Sequence, residues 1–182
     1  GFATFSEALW EERKPGSSGF AAYMNTMMGL RGEAVTARSS VYKQGTLTDT
    51  AVFDYASSYA KGAWILHMLR GELGETLFFQ TLREYRTRYE GSAATSSQFF
   101  DVVEDLSGRS FDSFFSQWLM RGFAPVFTIT TEEVTIRGGR YLEVRTYQNR
   151  HLNGVFDIAP DYLVRVGAGG PGRNVPTLLF AG

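Results

Sequence analysis

The apolar residues of this chain change their period once, and that change limits what it can fold into. Up to about Arg121 they recur at helical spacing; after Ala124-Pro125 they alternate. Spacings of three and four put side chains on one face of a helix, and a spacing of two puts them on one face of a strand. The chain therefore reads as α+β and mainly α, with a helical unit over 1–123 and a β segment over 124–182.

Within the first unit, Phe2, Phe5, Leu9 and Trp10 share a helical spacing, and Lys14-Pro15-Gly16-Ser17-Ser18-Gly19 breaks it. A second helix is expected over about 20–30. The weak pattern from Gly32 to Ser58 reads as a long loop with short turns. Four clearer helices follow. In 59–73 the stripe is Gly62, Ile65, Leu66, Leu69 and Leu73, with Gly74 as the stop. In 75–89 it is Phe78, Leu82, Tyr85 and Tyr89, closed by Gly91. After Thr95 it is Phe99, Val102, Val103 and Leu106, with Thr95 or Ser96 as N-cap and Gly108 as C-cap. After Ser110 it is Phe111, Phe114, Phe115, Trp118 and Leu119, stopped by Gly122.

In the second unit, 126–130 is strand-like, and Gly138-Gly139 between Val134-Thr135-Ile136 and Tyr141 to Gln148 is a hairpin signature. Another strand pair is expected over 155–166, a glycine-rich turn over 167–171 and a last strand over 175–180. The sequence leaves open whether this last strand is complete.

Charge and ligand supply narrow the chemistry. Lys and Arg number 18 against 19 Asp and Glu, a net charge of −1. A nucleic-acid protein would carry a basic stripe, and a polybasic membrane-surface module would carry a basic cluster. No apolar run reaches the roughly 18 residues of a membrane span. The absence of cysteine excludes thiol nucleophiles, cysteine-ligated zinc and disulfides, and does not decide the compartment. His67 and His151 lie too far apart for a two-histidine helical zinc motif. His67 reads as a packed or surface histidine, and His151 has no partner in the pattern. The glycine-rich run 167–172 leads into a strand, so it reads as a turn and not as a phosphate loop. Asp101, Glu104 and Asp105 read as a solvated helix face.

Two segments remain: Gly1-Phe2-Ala3-Thr4-Phe5-Ser6-Glu7-Ala8-Leu9-Trp10 and Tyr59-Ala60-Lys61-Gly62-Ala63-Trp64-Ile65-Leu66-His67-Met68-Leu69-Arg70. Composition gives neither a function, and a tyrosine at a helix start is by itself a packing aromatic. In order along the chain, however, they resemble the gluzincin zinc metallopeptidases of the membrane alanyl aminopeptidase and leukotriene hydrolase type. In that family an HExxH helix is followed by a helix bearing the third zinc ligand in a motif Asn-Glu-Gly-Phe-Ala. Gly1-Phe2-Ala3 matches its end. Tyr59-Ala60-Lys61-Gly62-Ala63 matches the family's Tyr-x-Lys-Gly-Ala segment. Leu73-Gly74-Glu75 with Phe78-Phe79, Ser107-Gly108-Arg109 with Phe114 to Leu119, and Gly122 with Pro125 match later stretches.

The resemblance implies the helical C-terminal subdomain of a thermolysin-like catalytic domain over 1–123. Over 124–182 it implies the start of a small antiparallel, β-sandwich-like domain. It implies zinc-dependent removal of N-terminal residues from peptides, with Tyr59 donating a hydrogen bond to the developing oxyanion. Glu7, two helical turns beyond the expected ligand glutamate, would accept the free N–H of a ligating histidine; the plainer alternative is an ordinary helix glutamate. HExxH, the ligand glutamate and the Gly-x-Met-Glu-Asn exopeptidase signature are absent from this chain, so its metal ligands are expected upstream of Gly1. Alone it is expected to bind no zinc and to be inactive. A different class also fits: a metal-free scaffold of the same fold that binds a peptide or protein. A domain lacking its other half is expected to expose Phe2, Phe5, Trp10 and Tyr59, and to self-associate through them.

Overall fold

A computed structural model of the chain describes residues 1–14, 18–28, 39–45, 48–122, 126–136 and 139–149. The expectations beyond residue 149, including His151, lie outside the described residues, as do Pro15-Gly16-Ser17 and 29–38. Two compact units divide the chain, Gly1–Ala124 and Pro125–Gly182.

The described part of the chain is mainly helical. Helix α1 spans Phe2–Glu12, α2 Ser18–Met28 and α3 the single turn Asp49–Val52. A π-helical segment, Tyr55–Lys61, runs directly into α4, Gly62–Leu73. Then come α5, Glu75–Tyr89, α6, Ser96–Ser107, and α7, Asp112–Trp118. The caps of α6 are the expected ones. The Thr95 side chain accepts from the Gln98 N–H, Gln98 answers at the Thr95 N–H, and Gly108 closes the helix in the left-handed region at φ 65°.

Three boundaries differ from the sequence reading. The stretch expected to be loop up to Ser58 contains α3, and helical structure begins at Tyr55, not at Tyr59. Helix α7 ends at Trp118 with Leu119 as its cap, before Gly122 is reached. In the second unit, β1 (Val126–Ile136) pairs antiparallel with β2 (Gly139–Asn149), from Val126 opposite Asn149 to Ile136 opposite Gly139. Gly139 therefore belongs to the ladder and not to the turn.

The core of the helical unit sets aromatic rings, several of them met edge-on, among buried Ala, Val, Ile, Leu and Met side chains. Phe5 of α1 packs T-shaped on Phe20 of α2 and Phe78 of α5, with ring centroids 6.0 and 5.6 Å apart. Phe5 is only 2% exposed, which corrects the expectation that it lies on an open surface. Its stripe is covered by α2 and α5, which periodicity within α1 cannot reveal. Phe2 and Trp10 are exposed, at 45% and 65%, although Phe2 still meets the Phe99 and Tyr85 rings. Arg70 ties four helices together. It pairs with Glu12 of α1 at 3.1 Å and Glu75 of α5 at 2.6 Å, and its guanidinium lies over the Phe20 and Phe79 rings.

Candidate active site

The two segments singled out from the sequence meet in space. Gly1, at the start of α1, lies against Gly62, at the start of α4. A Cβ on Gly62 would come within 2.8 Å of the Gly1 Cα, and one on Gly1 within 3.0 Å of the Gly62 backbone. Gly62 has φ −59°, open to any residue, so the glycine is required by space and not by conformation. The Gly1 nitrogen also donates to the Ser58 carbonyl at 2.7 Å. Gly62→Ala therefore pushes backbone against backbone. Overpacking costs about 1–3 kcal/mol, against at most about 1 kcal/mol gained in helix propensity. Net destabilisation is expected as a lowered urea midpoint; an unchanged midpoint would show that the two helix starts move apart freely.

Tyr59 sits within the π-helical segment. This geometry, in which the Gly62 N–H reaches the Ser57 carbonyl five residues back, is rare and is often found at functional sites. The Tyr59 ring is partly buried and stacks on Tyr55, 5.9 Å between centroids and 19° between planes. Its hydroxyl makes no hydrogen bond to another described residue. Next to it, Lys61 is 3% exposed and its Nζ donates to the Arg121 carbonyl at 2.5 Å. Burial, with the Lys43 charge adding to it, pushes the Lys61 ammonium down to about 8.

Glu7 lies on the exposed side of α1, where it accepts a hydrogen bond from the Tyr23 hydroxyl of α2. Burial first, and the Glu7 carboxylate after it, hold Tyr23 well above the ordinary phenol range, so it stays protonated. Glu7 and Tyr23 line an open depression with Ala3, Ser6, Trp10 and Glu11. Tyr55, whose ring stacks on Tyr59, raises the Tyr23 pKa as well.

Sequence reasoning missed Ser57 and Lys61, both buried polar residues of the π-helical segment. Apart from Asp54, three residues before Ser57, the partners named here lie 14 to 60 residues away, at Lys43, Ser39 and Arg121, where no local pattern signals them. His67 is packed between Phe20 and Trp64, with ring centroids 5.1 and 5.2 Å away, as expected of a packed histidine. Burial lowers its pKa and keeps it neutral. Among the described residues, no three His, Asp or Glu side chains cluster closely enough to hold a metal ion. Among them, too, no helix is long and apolar enough to cross a membrane.

Residues 1–118 match the family profile described as the peptidase family M1 domain. Aminopeptidase N of Lactococcus lactis subsp. lactis is 27% identical over 120 residues, covering 65% of this chain and 14% of the relative. Aminopeptidase 2, mitochondrial, of Saccharomyces cerevisiae is 29% identical over 111 residues, covering 58% of this chain and 12% of the relative. The chain thus spans a small part of the length of these relatives. A crystal structure of Legionella pneumophila aminopeptidase A in complex with aspartic acid superposes over 81% of this chain and 16% of its own, with TM-score 0.61 at 20% identity. That likeness concerns the fold. The profile covers well over half of the residues, and on that match the chain belongs to peptidase family M1.

Proposed function

We propose that this chain contributes the helical half of the catalytic domain, over 1–123, of a zinc-dependent aminopeptidase that removes N-terminal residues from peptides. Residues 124–182 then begin a β-sandwich-like domain. The observation that carries this reading is the contact of Gly1 with Gly62. It brings the segment that follows the family's third zinc ligand against the segment that holds its oxyanion tyrosine. No metal-holding cluster occurs among the described residues. In this reading the zinc ligands, HExxH and the glutamate of the family's motif, are supplied from outside this sequence.

In this reading Tyr59 is the catalytic residue of the chain. A phenol is neutral at pH 7 and donates one hydrogen bond without bringing a charge, which suits it to an oxyanion that forms only during the reaction. Glu7 holds a ligating histidine from behind. Glu7→Gln is then expected to weaken zinc binding of the complete enzyme about 10–100-fold, read by titration against a competing chelator. Unaltered affinity would return Glu7 to the role of partner to Tyr23.

Metal analysis tests the whole reading. The 182-residue chain is expected to take up no stoichiometric zinc and to be inactive. The longer protein, with HExxH and the ligand glutamate, is expected to bind zinc and to release N-terminal residues. Tight, stoichiometric zinc on the chain alone would contradict the proposal. Replacement of those upstream ligands would leave the metal-free binding scaffold as the reading that stands.

A further inference from the structure

The π-helical segment is fastened at three points, none of them the Tyr59 hydroxyl. Its Ser58 carbonyl accepts from the Gly1 nitrogen, and its Lys61 side chain reaches the Arg121 carbonyl. The third fastening is a polar cluster around Ser57. The Ser57 hydroxyl is fully buried and donates to Asp54 Oδ2. It accepts from Lys43 Nζ at 2.8 Å and from the Ser39 hydroxyl at 3.0 Å. The Ser39 hydroxyl has one hydrogen, which it shares between Ser57 Oγ and Asp54 Oδ2, the latter 2.9 Å away, and it accepts from Lys43 at 2.9 Å. A hydroxyl offers one donor and two acceptor positions; Ser57 gives its hydrogen to Asp54, accepts from Lys43, and competes with Asp54 for the one Ser39 hydrogen. The Ser57 hydrogen bond first, with Ser39 and the Lys43 charge, holds the Asp54 carboxyl below its ordinary range, so Asp54 is a charged acceptor.

Such a cluster is more than a side-chain partner would need. A buried serine in an α-helix can satisfy its hydroxyl on the backbone four residues back, as Thr81 does on the Leu77 carbonyl at 2.9 Å. Ser57 instead engages a loop 14 and 18 residues away, at the point where the helix keeps an uncommon register. If that register relaxed towards an α-helix, residues after Ser57 would turn about the axis and carry Tyr59 with them. The Tyr59 hydroxyl has no hydrogen bond to another described residue to resist this.

We propose that Ser57, clamped by Ser39, Lys43 and Asp54, is a positioning residue that fixes the direction of the Tyr59 hydroxyl. The inference rests on the reading of Tyr59 as oxyanion donor. Ser57→Ala, Tyr59→Phe and the double variant are made in the complete zinc-loaded enzyme. Ser57→Ala is expected to lower kcat about 10–100-fold, the size of an ångström-scale misplacement. KM and zinc content should stay unchanged, and amide exchange should speed up across 55–62. The double variant should be no slower than Tyr59→Phe alone, because a misplaced donor that is already absent cannot be lost again. Additive losses would overturn the proposal. So would an unchanged kcat in Ser57→Ala beside a slow Tyr59→Phe, a result that leaves the role of Tyr59 standing. A fully active Tyr59→Phe would remove both. Should Ser57→Ala fail to fold, Ser39→Ala serves instead, since Ser39 is exposed and outside the segment. It should move kcat and exchange in the same direction by a smaller factor, and no change in either would overturn the proposal.

Discussion

Replacing Tyr59 by phenylalanine should slow the complete enzyme about 10²–10³-fold in kcat, a loss of roughly 3–4 kcal/mol of transition-state stabilisation. The substitution deletes one oxygen and little else. The phenyl ring keeps its stack on Tyr55 at 5.9 Å, and the hydroxyl it loses has no partner among the described residues, so no buried group is left unpaired. Folding stability should therefore move little while turnover falls. Zinc content should also hold, because a tyrosine that acts on the oxyanion is not a ligand. This separates the assignment from its plainer rival, a packing aromatic. A packing ring would tolerate the change with turnover intact, and a ligand would take the zinc with it. Steady-state kinetics, metal analysis and a urea titration on one preparation distinguish the three.

The legibility of this chain follows the range of the interactions involved. Thr95, Gln98 and Gly108 cap α6 through partners three or four residues away; Gly108 could be read directly, and the N-cap narrowed to Thr95 or Ser96. The apolar stripe of α4 was legible for the same reason: Gly62, Ile65, Leu66 and Leu69 are all buried. The start of that helix was not. Nothing in Tyr55-Ala56-Ser57-Ser58 announces a π-helical register, because the groups that hold it are Ser39 and Lys43, Gly1 and Arg121. The importance of Gly62 was visible as part of a motif, but its physical reason was not. Two backbones must touch there, and only the three-dimensional arrangement shows which. Glu7 was expected to face a histidine; among the described residues its partner is Tyr23.

Phe5 carries the other large expectation. Phe5→Ala should destabilise the helical unit by about 3–5 kcal/mol. The ring is 2% exposed and meets both Phe20 and Phe78 edge-on, with interplanar angles of 86° and 79°. Such pairs add about 0.5–1.5 kcal/mol each beyond the area they bury. The truncation leaves a cavity where α1, α2 and α5 meet, and rigid neighbouring rings cannot collapse into it. Trp10 lies on the same helix, is larger, and belongs to the same apolar spacing in the sequence. At 65% exposed it has little to lose, and Trp10→Ala should stay within about 0.5 kcal/mol. Urea midpoints at constant slope measure both. The contrast decides what α1 does in this chain. If its apolar stripe served mainly to dock another part of the protein, Phe5 and Trp10 would behave alike, and both would be cheap to remove. A large loss at Phe5 beside a negligible one at Trp10 means that the stripe is split. Its Phe5 side holds α1 against α2 and α5, and through α1 keeps Gly1 seated on Gly62, while the Trp10 side remains open above Glu7 and Tyr23.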